Sequence, residues 1–184
     1  MYNSIQHFIC FGINELFKDW ERLVMEGDTD FAAVAFKLRD HLNKLGCSLL
    51  EEFIESIDNE LRNDPERADK WEIVRKPSKE DFLTIFGTIN YDRTYFKSKL
   101  DGEYAFLAER LLDIGPKDKI GSDVQISALE EAVDSSYRKS GEGSTISDDV
   151  ISKQSVMNIV KDLEKDKIKV RDKLPDEKKK VKIL

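Results

Sequence analysis

The chain has 184 residues, 40% hydrophobic and 36% charged, with a formal net charge of −7. That length suits one ordinary domain or two small ones, and so high a charged fraction favours long solvated helices over one deep globule. No run approaches the roughly 18–20 apolar residues of a membrane span, and the start, MYNSIQHFICFGINELF, lacks the basic segment and small-residue cleavage site of a secretory leader.

The chain therefore reads as cytoplasmic, and its two cysteines, Cys10 and Cys47, fit a reduced compartment. Its charge is uneven: Ser152 to Leu184 carry 11 Lys+Arg against 6 Asp+Glu, and the remainder 19 against 31. An acidic body with a basic tail leaves the last fifth as the contact with nucleic acid, or as a solvated linker.

Helical spacing runs through Ile5, Phe8, Ile9, Ile13, Leu16, Phe17, Trp20, Leu23 and Val24. It breaks at Gly27, with Asp28 or Thr29 able to cap the next helix. A second series, Phe31, Val34, Leu38, Leu42, Leu45, Leu49, Phe53, Ile57 and Leu61, has the spacing of a coiled-coil seam and stops at Asn63-Asp64-Pro65. Residues 1–65 are thus expected to form an antiparallel hairpin with an apolar stripe left over for a second copy. From Trp71 the period changes to two. Strands are expected at 71–75, 82–86, 89–96 and 103–107, with turns at Lys76–Lys79 and Ser98–Gly102 and a bulge or bend at Gly87. This predicts a small antiparallel β-sheet of three or four strands over 66–115. A helix from Ser122 to Tyr137, a break around Gly141 and Gly143, and a short helix capped by Ser152 fill 116–166. The basic tail, 167–184, ends on VKIL, which reads as the opening of a strand. The expected class is α+β: helical hairpin, sheet, then helix-turn-helix-like helices.

In a helix-turn-helix, the second helix sets its amino-terminal residues against base edges in the major groove. Ser152, Lys153, Gln154, Ser155 and Asn158 would occupy that face. Gln and Asn pair bidentately with adenine, Lys with guanine, and Ser with a base or a phosphate. Arg138, Lys139 and Lys161 would contact phosphates. Two ordinary surface helices satisfy the same pattern. His7, Cys10, His41 and Cys47 lack metal-ligand spacing and read as core filler. Glu51-Glu52, Asp148-Asp149 and Asp101 with Glu103 read as solvated faces. The aromatic strand Tyr91 to Phe96, with Arg93, either stacks bases or packs a sheet on helices. There is no phosphate loop, and no cofactor is expected.

MYNSIQHF with INELF, LNKLGC at 42–47, FGTINYDRTYFKSK at 86–99, DGEY at 101–104, EEAVDSSYRKSG at 130–141 and ISKQSVMN at 151–158 resemble the Lre-type insertion-sequence transposases, relatives of the mutator-like enzymes. The resemblance implies a DNA-recognition region followed by an RNase H-like domain with three acidic residues and two divalent metals. It places the first acidic residue after the linker DKLPDEKKK at 172–180, beyond the last residue here, so no catalytic residue carries over. It implies recognition of the terminal repeats of a mobile element through SKQSVMN. The alternative is an interaction module of a decayed transposase with no DNA binding of its own.

Overall fold

The computed structural model describes residues 3–27 and 30–173. The chain is α+β. Helix α1 (Asn3–His7) continues through a π-helical turn, Phe8–Gly12, into α2 (Ile13–Glu26). Gly27 ends α2 in the left-handed conformation (φ 79°), its N–H closing on the carbonyls of Leu23 and Val24. Asp30, not Asp28 or Thr29, caps α3 (Phe31–Asn63) by accepting the N–H of Ala32; positions 28 and 29 lie outside the described residues. Asp64 then caps the short α4 (Pro65–Lys70), with Pro65 at its first position, where a missing N–H costs nothing. The expected hairpin forms: Trp20 Nε1 donates to the Val34 carbonyl, and Asp19 meets His41.

The sheet has three strands in sequence order, β1 (Trp71–Thr84), β2 (Gly87–Ser98) and β3 (Tyr104–Phe106). The turn expected at Lys76–Lys79 is instead part of β1, where the register slips between Arg75 and Ser78. β1 is the outer strand, so Pro77 can sit in it without removing a ladder donor. The reversal comes at Ile85-Phe86, with Thr84 opposite Gly87 and the Thr84 hydroxyl donating to the Gly87 carbonyl at 2.8 Å. An apolar pair can make this turn because the Phe86 ring packs over Gly46 of α3 and Ile85 accepts the N–H of Ile146.

Two compact units emerge: Met1–Gly121 with Thr145–Asp149, and Ser122–Ser144 with the chain from Val150 onward. In the first, hairpin and sheet share one core of Ile54, Phe82, Ile89 and Tyr91, flanked by Cys47, Leu50, Leu112 and Ile114. Because β3 pairs only with Tyr95–Lys97, the rest of β2 has an open side. Carboxylates on α3 close it. The N–H groups of Asn90, Asp92 and Thr94 donate to Glu51, Glu55 and Asp58, and that of Thr88 to Asp149. Glu51, Glu55 and Asp58 fall one above another on the helix, at the spacing that tracks a strand alongside it.

Directly after β3, α5 (Leu107–Leu111) supplies Glu109, buried with Tyr91 and bonded to the partly buried Arg93. Arg93 binds both Glu109 and Glu80, and its guanidinium lies 3.8 Å from the centre of the Phe106 ring. The expected helix Ser122 to Tyr137 is shorter, α6 (Ser122–Asp134), and an extra helix, α7 (Tyr137–Glu142), follows. The last helix, α8 (Lys153–Lys173), is longer than the short helix expected and takes in the start of the basic tail. The strand expected at VKIL lies outside the described residues.

Candidate nucleic-acid interface

All eight residues singled out for DNA contact fall in the second unit, on α7 or at the start of α8. Three buried residues, Ser140, Gly141 and Ser144, tie α7 to the segments on either side of it. Ser140 donates to the Ala128 carbonyl of α6 at 2.5 Å, and Ser144 to the Gly141 carbonyl at 2.9 Å. Gly141 lets the two backbones touch: a Cβ there would lie 2.3 Å from the Ile151 oxygen, while the Ile151 N–H donates to the Gly141 carbonyl. The stretch expected to be a loose break is therefore a tight corner. Gly141 belongs to α7, and Ser144 is fully buried.

Val156 is fully buried and Ile151 nearly so, so the opposite face of α8 points outward. Ser152 caps the helix, its Oγ accepting the Ser155 N–H at 3.1 Å and lying 3.0 Å from the Ser155 hydroxyl. Lys153, Gln154, Asn158 and Lys161 are exposed. Gln154, Asn158 and Lys161 follow the i, i+4, i+7 row of one face, and Lys165 extends it by another turn. The Gln154 amide donates to the Asn158 Oδ1 at 3.0 Å, which holds the two amides side by side and orients an oxygen and an N–H outward. Lys165 pairs with Asp162 at 2.8 Å, an exposed contact that solvent screens. Sequence reasoning missed Lys165 because it expected the helix to be ending there; the persistence of lysine at helical spacing was the available signal.

Arg138 and Lys139 are both exposed on α7, Arg138 in a surface pair with Glu142 at 3.1 Å. Ser136 caps that helix. On α6, Asp123, Glu130, Glu131 and Asp134 make the neighbouring surface acidic, so a polyanion would meet α7 and α8 rather than α6.

Of the other candidates, His7 and Cys10, expected as core filler, are exposed, and the following are engaged inside the first unit. Tyr91 and Arg93 are engaged with Glu109, and burial raises the Tyr91 hydroxyl far above its ordinary range, so neither is presented to a base. Tyr95 stacks on Tyr104 of β3, with the Arg75 guanidinium over its ring. His41 is buried against Asp19. Cys47 sits at the edge of the core, its thiol pushed up by burial and by Glu51 and Asp149. Among the described residues, no group of three or more His, Cys, Asp or Glu could hold a metal ion. A cleft of about 660 Å³ is lined by Asp40, Lys44, Cys47, Glu51 and Asp149, but Glu51 and Asp149 are committed to backbone donors of β2. Glu51 and Asp149 thus hold backbone donors of β2, a role the expected solvated faces did not include, while Asp149 stays exposed. No helix among the described residues is long and apolar enough to cross a membrane.

Residues 28–184 match an uncharacterised protein family, UPF0236. Two similar curated relatives are UPF0236 proteins of Caldanaerobacter subterraneus subsp. tengcongensis. One is 35% identical over 170 residues, covering 92% of this chain and 35% of the relative. The other is 35% identical over 148 residues, covering 80% of this chain and 30% of the relative. The chain thus spans about a third of the length of these relatives. No solved structure matches it.

Proposed function

The chain belongs to the uncharacterised protein family UPF0236, and we propose that it is the DNA-binding part of an insertion-sequence transposase, recognising element-end DNA without itself catalysing strand transfer. The observation that carries this reading is the outward row on α8. Gln154 and Asn158 form a preset amide pair, Lys153 lies at the helix start, and Lys161 and Lys165 continue the line. An adenine edge in the major groove offers one donor and one acceptor, the pattern a Gln or Asn amide matches. The lysines further along the helix, with Arg138 and Lys139 on α7, supply the phosphate contacts that fix register. Support also comes from the resemblance of SSYRKSG and ISKQSVMN to transposase segments. They supply Ser140 and Gly141, which set the corner, and the face of α8 itself. The chemistry of strand cleavage and joining is assigned to other residues of a longer protein.

The test is a titration of the purified chain against a labelled duplex carrying the terminal inverted repeat and against a scrambled duplex, at two salt concentrations. A preference of about tenfold or more, lost in the Lys153→Ala, Gln154→Ala, Asn158→Ala triple variant, supports recognition by α8. Lys161→Ala and Lys165→Ala should weaken both duplexes alike and each flatten the salt dependence by about one unit of slope. Equal, salt-sensitive binding to both duplexes assigns the affinity to bare charge, and no binding to either overturns the reading.

A further inference from the structure

Each long helix of the hairpin carries more apolar surface than the fold uses. On α2, the buried Leu16 and the half-buried Leu23 turn toward α3, beside the Asp19–His41 contact. Ile13, Phe17 and Val24 stand roughly a quarter turn further round. On α3, Val34 and His41 face α2, and Phe31, Leu38 and Leu42 stand roughly a quarter turn round in the same sense. In an antiparallel pair, equal rotations in the same sense point to the same side. The two rows therefore share one face of the hairpin. The sheet occupies the opposite face, against Cys47, Leu50, Ile54 and Asp58 of α3. The shared face is bare: Phe17 is 54% exposed, Val24 62%, Phe31 82% and Leu42 47%.

We propose that this face binds the same face of a second copy of the chain, forming a homodimer through a four-helix contact of two α2–α3 hairpins. The area fits. These six side chains leave on the order of 500 Å² of apolar surface in water, and a stable interface takes roughly 800 Å² from each partner, about two thirds of it apolar at its core. The charges fit as well. Glu21 on α2 and Arg39 on α3 border the face, so both signs are present along it. A two-fold axis can set such a rim against itself, whereas a strongly acidic or basic partner would meet like charges. Phe17 is held edge-on against Trp20, 5.3 Å between ring centres, which gives the patch an aromatic anchor already fixed in place.

Sedimentation equilibrium of the purified chain, without DNA, tests this independently of the DNA reading. The expected result is twice the monomer mass at micromolar concentration. Phe17→Glu with Leu42→Glu should raise the dissociation constant at least about 100-fold, with the helical circular dichroism unchanged. Should that pair unfold the hairpin, Val24→Lys alone decides, since it is an exposed position that no core contact needs. A monomer at every concentration overturns the proposal and leaves the face to another segment of a longer chain. So does a dimer that persists in a folded variant.

Discussion

Asp58 closes the open side of the sheet from within α3, and its removal shows what that closure is worth. Its carboxylate is almost fully buried and accepts two bonds from one residue, the Thr94 N–H at 3.0 Å and the Thr94 hydroxyl at 2.6 Å. Each bond to a charged acceptor contributes about 1.5–3 kcal/mol, and Asp58→Ala leaves both Thr94 donors buried and unpaired. The variant also recovers the desolvation of a buried carboxylate, which is worth several kcal/mol in the opposite direction. The expected net loss is therefore about 2–4 kcal/mol, below the simple sum. For a chain of this size that corresponds to about 5–15 °C in Tm. Asp58→Asn retains an acceptor without the charge and should lose about 1–2 kcal/mol. Both tryptophans, Trp20 and Trp71, lie in the unit that contains Asp58, so fluorescence-monitored urea unfolding reports that unit. A double-mutant cycle with Thr94→Val isolates the hydroxyl bond. A loss under about 1 kcal/mol for Asp58→Ala, or a coupling of zero with Thr94→Val, would refute the closure argument.

Gly141→Ala drives a methyl group into the Ile151 carbonyl, so it should open the corner between α7 and α8. The expected readout is loss of part of the helical signal and, under the proposed function, of DNA binding, with tryptophan fluorescence unchanged; a variant with its full helical signal would contradict it. Asp19 has its pKa lowered, first by the hydrogen bond from His41 and then by Lys37 and Arg22, against the opposing effect of burial. A folded-state pKa below the unfolded one means stability present above the unfolded value, near pH 4, and lost as pH falls through the folded value. Asp19→Asn should thus lower stability at neutral pH and make the acid side of the stability profile shallower; parallel profiles would rule this out. Cys10 is exposed while the Cys47 thiol is held protonated by burial and neighbouring carboxylates, so iodoacetamide at mildly alkaline pH should label Cys10 first. Mass spectrometry of the digested protein gives the order.

The helices were legible where local rules act alone. Gly27 and Pro65 mark the ends of α2 and α3 by their own backbone chemistry, and the seam from Phe31 to Leu61 shows in its spacing, whereas the short α4 that starts at Pro65 was not foreseen. The sheet was misread where a distant partner overrides a local rule. Pro77 marks a turn by composition, yet an edge strand accepts it. Ile85-Phe86 does not resemble a turn, because the partner that shelters Phe86 is Gly46, far away in sequence. The bonds of Glu51, Glu55 and Asp58 were not legible because their partners are backbone N–H groups, which every residue but proline has and no pattern reveals. On α8, the outward residues were visible from periodicity. What fixes them, the buried Ser140 and Gly141, is a pair of small residues whose role appears only when the backbones meet.

The side-on closure of β2 has a consequence for how copies of this chain can and cannot stick together. An unpaired strand edge is a template for any passing strand, and proteins crowd through such edges into fibres and swapped dimers. Here one edge is interrupted by Pro77, and along the other the donors from Thr88 to Thr94 are already taken. α3 thus acts as a built-in guard over the sheet. A fragment that begins after Pro65 and carries the sheet alone would expose that whole row of donors at once and should polymerise, whereas in the intact chain those donors stay bonded.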